Sequence, residues 1–226
     1  ITIRNCNVES NTGGYYAAGL QCSNITVGSS RNLLVENSTF NYNGDFGIHV
    51  GDPFLDQNGH ENYVIQNCIC SFNGSINSRS FSAGIAAIRT SNNLRIKNCK
   101  TDQNFASNDQ NAYGIYLRNQ ISAQIEDCSV NQNISTAGVA HGIRLENCSD
   151  CHVLRSTVSN NKNNGIEIDK DLSGNTLTNV VSVGNERGFH FNSDALGNGS
   201  LVEDCRAHRN SLKGFHHETA MLRTAF

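Results

Sequence analysis

The chain has 226 residues and a formal net charge of -3, with Lys and Arg scattered rather than clustered. That excludes the basic footprint of a nucleic-acid-binding protein, and no apolar run approaches the ~18 residues that a membrane span requires. One Pro, no Trp and 20 Gly, with abundant Asn and Ser, suit a chain of many tight corners and little helix.

Taken in order, the chain repeats one nine-residue block eight times: an apolar residue, any residue, a corner residue, a small residue, four more, and Asn. The blocks open at Ile3, Val35, Ile65, Ile96, Ile125, Val153, Leu177 and Val202. Their corner positions are Asn5, Asn37, Asn67, Asn98, Asp127, Arg155, Asn179 and Asp204. Every block closes on Asn: Asn11, Asn43, Asn73, Asn104, Asn133, Asn161, Asn185 and Asn210. Spacing inside the block is rigid while the step between blocks runs from 24 to 32 residues, the mark of stacked coils joined by variable loops. Within a block the alternation of a strand turns Ile3 inward and Arg4 outward. The corner then resets the phase, and Asn tolerates the left-handed backbone that a corner needs. Stacked Asn side chains can bond to the coils above and below as amide ladders do.

A Gly-apolar pair follows each block, from Gly19-Leu20 and Gly47-Ile48 to Gly188-Phe189 and Gly214-Phe215, and is expected to open a short alternating strand. The reading is an all-β solenoid of about eight coils, each with three short strands, spanning residues 1–217. The last residues, 218–226, depart from the repeat as a tail or cap, and that tail or the uncapped coil ends could support an oligomer. The pattern resembles the right-handed parallel β-helix of the pectate-lyase-like superfamily, and the resemblance covers nearly the whole chain. Because Ile1 opens directly in a repeat strand, the chain reads as a fragment or trimmed form whose targeting signal and cap would precede it. The resemblance favours an extracellular or surface setting, whereas nine Cys without an evident pairing scheme lean toward a reducing compartment.

Loops longer than folding needs are where function concentrates. Coils three to five carry long connections, Gly74 to Ala83, Phe105 to Tyr113 and Ile134 to His141. On the other side lies Gly51 to Asn62, with the only proline, Pro53. Between these walls runs the outward face of the Gly-led strands. Its first column reads Gln21, His49, Ala86, Tyr116, Arg144, Glu167, His190 and His216. With Ala86-Ala87 taken as a bulge, the second reads Ser23, Gly51, Arg89, Arg118, Glu146, Asp169, Asn192 and Glu218.

Eliminating or epimerising a uronic sugar needs a cation for its carboxylate, a base for the C5 proton and an acid at the leaving oxygen. Arg118 or Arg144 supplies the cation, and Tyr116 or His190 the acid or base. His49, Arg89, Glu146, Glu167, Asp169, Asn192 and His216 then line a polysaccharide groove. Glu146, Glu167 and Asp169 together form a candidate calcium site. Alternatively a carboxylate pair on this face suits hydrolysis of a glycosidic bond, and the same columns also suit a non-catalytic scaffold, because opposite charges on adjacent coils stabilise pairing by themselves. Of family motifs, Arg95-Ile96-Lys97 matches a polygalacturonase tripeptide but lies in a core block. Phe46-Gly47-Ile48-His49 followed by Asp52-Pro53 resembles a mannuronan epimerase motif whose Asp-Pro comes three residues earlier.

Five of the cysteines (Cys6, Cys68, Cys99, Cys128 and Cys205) fall in one inward column, where they read as small buried thiols packing like Ala or Val. Cys148 and Cys151 have the spacing of a zinc half-site without a second pair. Acceptor triplets for N-glycans begin at Asn24, Asn37 and Asn198.

Overall fold

The computed structural model describes residues 1–13, 17–22, 30–51, 60–75, 81–89, 93–170, 174–192 and 200–218. Asp52-Pro53, most of the Gly51 to Asn62 connection, the centre of the Gly74 to Ala83 loop, the glycan triplets at Asn24 and Asn198, and the tail beyond Glu218 lie outside these residues. Among the described residues every regular element is a β-strand and every strand pair is parallel.

Two sheets are eight strands deep. The first holds the block openings, from Thr2–Arg4 through Gln124–Glu126 to Leu201–Glu203. The Gly-led sheet runs from Ala18–Cys22 through Ala112–Arg118, Ala140–Glu146 and Asn164–Asp169 to Lys213–His217. A third face is built from Lys100–Asp102, Ser129–Asn131, Thr157–Ser159, Val181–Val183 and Arg206–His208, with Asn7–Glu9 and Thr39–Asn41 forming a separate pair. Ile69 joins the two groups by single bridges to Thr39 and Lys100. Three short strands per coil follow, as the block predicts.

The apolar opening residues stack directly, as in the register Ile65, Ile96, Ile125, Val153 and Leu177, and each is fully buried. All eight predicted corners adopt left-handed backbone, with φ between 45° and 55°. A second left-handed corner lies one residue before each closing Asn, for instance at Gln103 and Gln132. The closing Asn itself has the ladder role. Each side-chain NH2 donates to the next Asn carbonyl oxygen at 2.8–3.3 Å, from Asn11 to Asn210. The same oxygen also accepts the backbone N–H of the residue below. Amides carry both donor and acceptor, so identical side chains satisfy one another down the rod.

The Gly-led strands begin earlier than expected, before the glycine rather than at it. Tyr113 and Tyr116 face outward together while Ile115 and Leu117 enter the core, so the chain turns two successive residues inward at Gly114-Ile115. Close approach makes the glycine necessary. A Cβ on Gly142 would lie 2.2 Å from Val158 Cγ1 and 2.6 Å from the carbonyl oxygen of Gly165.

Coil three contains no bulge. Ala86, Ala87 and Ile88 pair in unbroken register with Tyr116, Leu117 and Arg118 on one side and with His49, Val50 and Gly51 on the other. Ile88 therefore occupies the column assigned to Arg89. Arg89 sits one step further, at a left-handed corner with φ 52°. The long connections of coils four and five are partly ordered as strands: Phe105–Ala106 pairs with Ile134–Ser135, and the Ser135 hydroxyl donates to the Gln110 carbonyl at 2.6 Å.

None of the nine cysteines forms a disulfide bond. Cys68, Cys99 and Cys128 are buried in the inward column as expected, whereas Cys6, in the first coil, is exposed. Cys148 and Cys151 are buried with their thiols directed at backbone carbonyls, so they pack as core residues rather than offering a metal half-site.

Candidate functional site

The parallel register of the Gly-led sheet places Tyr116, Arg144, Glu167, His190 and His216 in one outward column. Arg118, Glu146 and Asp169 follow in the next. A third column runs beside them, one residue before each glycine: Tyr113, His141, Asn164 and Arg187. Sequence reading missed this column because it took the glycine as the strand's start. Simple alternation extended upstream turns these residues inward, because it does not allow for the two successive inward residues at the glycine.

Glu167 is the node. Its carboxylate meets Arg144 at 3.2 Å, His141 Nε2 at 3.2 Å, His190 Nδ1 at 3.3 Å and the Asn164 amide at 2.6 Å. Burial pushes its pKa up, but the His190 hydrogen bond, His141, Arg144 and the Asn164 hydrogen bond outweigh it and hold the carboxyl at about 2. His141 is buried and its Nδ1 accepts the backbone N–H of Asn164. That leaves the proton on Nε2, facing Glu167. Burial brings its pKa down to about 4, so at neutral pH it is an uncharged donor. His190 behaves oppositely. Its hydrogen bond to Glu167, helped by Glu218, raises its pKa above the ordinary value against the effect of burial.

Arg144 bridges three carboxylates, reaching Asp169 at 2.5 Å, Glu167 at 3.2 Å and Glu146 at 3.4 Å. Burial works against its charge, but Tyr113 and the three carboxylates keep the guanidinium firmly protonated. The three carboxylates proposed for calcium thus converge on this guanidinium. They do not present an acceptor-only cage of the kind calcium takes.

Tyr116 donates to Glu146 at 2.6 Å. Burial, and then that hydrogen bond, push the phenol well above its usual range, so it stays protonated. Arg118 meets the other oxygen of Glu146 at 3.4 Å with 40 % of its side chain exposed, against 16 % for Arg144. Of the two predicted cations, Arg118 is the one that faces solvent. Tyr113 stacks on Tyr116 with ring centroids 4.7 Å apart, and Phe81 packs edge-on against both.

The predicted residues do not form one group. Tyr116 and His190 are three rungs apart, about 14 Å at the usual inter-strand spacing, too far to act on one sugar ring. His190 instead stacks on His216, with ring centroids 4.9 Å apart, and meets Glu218 at 3.1 Å. His49 is fully buried and stacks on Phe46, so its proposed contact with substrate is corrected: no part of its ring reaches the surface. Arg89 leaves the face for the corner described above. Asn192 stays at the edge of the face, half-buried, with its backbone N–H bonded to Ile168.

Comparison with known proteins bears on the fold. A family model for right-handed β-helix regions matches residues 1–221. Among solved structures, the Azotobacter vinelandii mannuronan C-5 epimerase AlgE4 A-module superposes with a TM-score of 0.58 at 14 % identity. The match covers 97 % of this chain and 57 % of that one. The periplasmic alginate epimerase AlgG, as a point mutant, gives a TM-score of 0.44 at 15 % identity over 88 % of this chain and 47 % of its own. No curated protein sequence matches the chain. No helix among the described residues is long and apolar enough to cross a membrane.

Proposed function

Since the chain belongs to the right-handed β-helix family, we propose that its Gly-led face binds a polysaccharide and carries out proton transfer on a uronate sugar at the Tyr116–Glu146 pair. The observation that carries this reading is the 2.6 Å hydrogen bond from a buried, protonated phenol to a carboxylate beside a solvent-facing arginine. The sugar carboxylate takes Arg118, drawing that cation away from Glu146 and freeing the carboxylate oxygen it holds. Glu146 receives the C5 proton. In elimination the C5–H electron pair forms the C4=C5 double bond, the C4–O4 bond breaks, and Tyr116 protonates the departing oxygen. Glu146 then returns its proton to the tyrosinate along their hydrogen bond. In epimerisation the carbanion instead takes a proton from a solvent water on the opposite face, and Glu146 releases the C5 proton to the resulting hydroxide through solvent. Arg144 and Glu167 are positioning residues that hold Glu146 and the rungs beside it. An alginate epimerase module of the same fold supports the choice of uronate polysaccharides as the first substrates to examine.

The test incubates the protein with alginate, pectate and glycosaminoglycans. Ultraviolet absorbance of unsaturated uronate reports elimination, and deuterium uptake at C5 in heavy water reports epimerisation. Turnover should fall by about 10²–10⁴-fold in Tyr116→Phe and Glu146→Gln. Absence of both signals across the panel would overturn the proposal. A second reading, a non-catalytic glycan-binding or scaffold rod, draws on the three carboxylates that already balance Arg144. It predicts glycan binding without either signal, or no binding at all.

A further inference from the structure

We propose that His190, His216 and Glu218 form a site for a divalent transition-metal ion of the zinc class, independent of the glycan reading. One ligand atom from each residue lies within 4.8 Å of the other two. His190 Nε2 and Glu218 Oε1 are 3.1 Å apart, close to the roughly 3.3 Å edge of a tetrahedron with metal–ligand bonds near 2.0–2.1 Å. The parallel register sets His216 directly over His190, with only 9° between the ring planes. A small rotation of the His216 ring therefore closes the set.

Two further observations point to a ligand. His216 Nδ1 is a buried nitrogen with no hydrogen-bond partner among the described residues, a costly arrangement unless something occupies it. His190 Nδ1 lies 3.3 Å from Glu167, and a carboxylate accepting the second ring N–H is the usual support of a metal-bound imidazole. Asn164 Nδ2 also lies 3.0 Å from that ring nitrogen, but donates to Glu167 at 2.6 Å, reinforcing the same support. Two imidazoles and one carboxylate leave the fourth tetrahedral position to water or a ligand, as in catalytic zinc sites. Glu218 is 44 % exposed, so an ion enters from solvent.

The experiment titrates the whole chain, stripped with chelator, with Co2+ and then with competing Zn2+. One equivalent of Co2+ should give visible d–d bands without the intense near-ultraviolet band of thiolate ligation, and Zn2+ should abolish them. Glu218→Gln and His216→Ala should weaken binding by at least about 10-fold, and Glu167→Gln by about 10–100-fold through the supporting hydrogen bond. His208→Ala, on the third face, should change nothing. If His216→Ala fails to fold, the conservative Glu218→Gln carries the comparison. A thiolate band, binding that survives Glu218→Gln, or no binding at millimolar metal would each overturn the proposal.

Discussion

Two columns of buried polar side chains run along this molecule, and they solve the same problem differently. In the Asn column every rung carries the same residue, and each amide donates to one neighbour and accepts from the other. In the outward column of the Gly-led sheet no two central rungs are alike: Tyr116, Arg144, Glu167 and His190 succeed one another. An ionised side chain cannot stack on its own copy, because like charges on adjacent strands repel. A charged column must therefore alternate in kind, and each rung becomes specific to its place. The first column is a structural repeat, whereas the second carries position-dependent chemistry.

The sharpest way to break the first column is at its centre. Asn133→Ala strands the backbone N–H and the side-chain NH2 of Asn104, both of which donate to Asn133 at 3.1 and 2.9 Å. At about 1–3 kcal/mol for each stranded buried donor, the expected loss is about 2–6 kcal/mol by urea denaturation. Asn210→Ala, at the half-buried end of the ladder, should cost distinctly less. Equal losses at both positions would mean that the ladder is not what the interior depends on.

In the second column the corresponding change is Arg144→Met, which leaves Glu146, Glu167 and Asp169 facing one another. Removing one partner of a buried ion pair typically costs about 3–5 kcal/mol. The triple variant with Glu167→Gln and Asp169→Asn should recover much of that loss. If the three substitutions add to within about 0.5 kcal/mol, the residues do not act as a network.

The contrast between the columns also explains what the sequence made legible. A ladder that repeats one residue announces itself, and so do corners that admit few residue types. Asn11 through Asn210 and the left-handed positions from Asn5 to Asp204 were therefore readable without coordinates. The charged face was readable only as far as its register. Tyr116, Arg144, Glu167 and His190 fell in one column because fixed spacing after the glycine determines which way they point. His141 and Asn164 were missed because the two inward residues at the glycine break simple alternation. Arg89 was misplaced by an assumed bulge that Ile88 makes unnecessary. His49 has the right orientation, but neither spacing nor residue type reveals that Phe46 stacks beside it and that the ring is buried. Burial of an outward column depends on what packs over it, which periodicity does not encode.

The most specific effect is in the two histidines that share Glu167. His141 is held neutral, with its pKa depressed to about 4, while the unfolded chain takes up a proton near 6.5. Stability from this residue is complete above 6.5 and is lost as pH falls from 6.5 toward 4, at up to about 1.4 kcal/mol per pH unit. His190 has a raised pKa, so its contribution has the opposite sign: complete below 6.5 and lost as pH rises through its folded value. Glu167, held at about 2, adds a third window, with stability lost as pH falls from about 4.5 toward 2. Urea midpoints measured across pH should therefore change slope separately in His141→Gln below 6.5, in His190→Gln above 6.5 and in Glu167→Gln below 4.5. The two histidine variants discriminate most strongly, because both rings touch one carboxylate yet must move the curve in opposite pH ranges. If His141→Gln and His190→Gln flatten the same limb, the two rings titrate as one unit. The neutral donor and the cation assigned to either side of Glu167 would then have to be exchanged or abandoned.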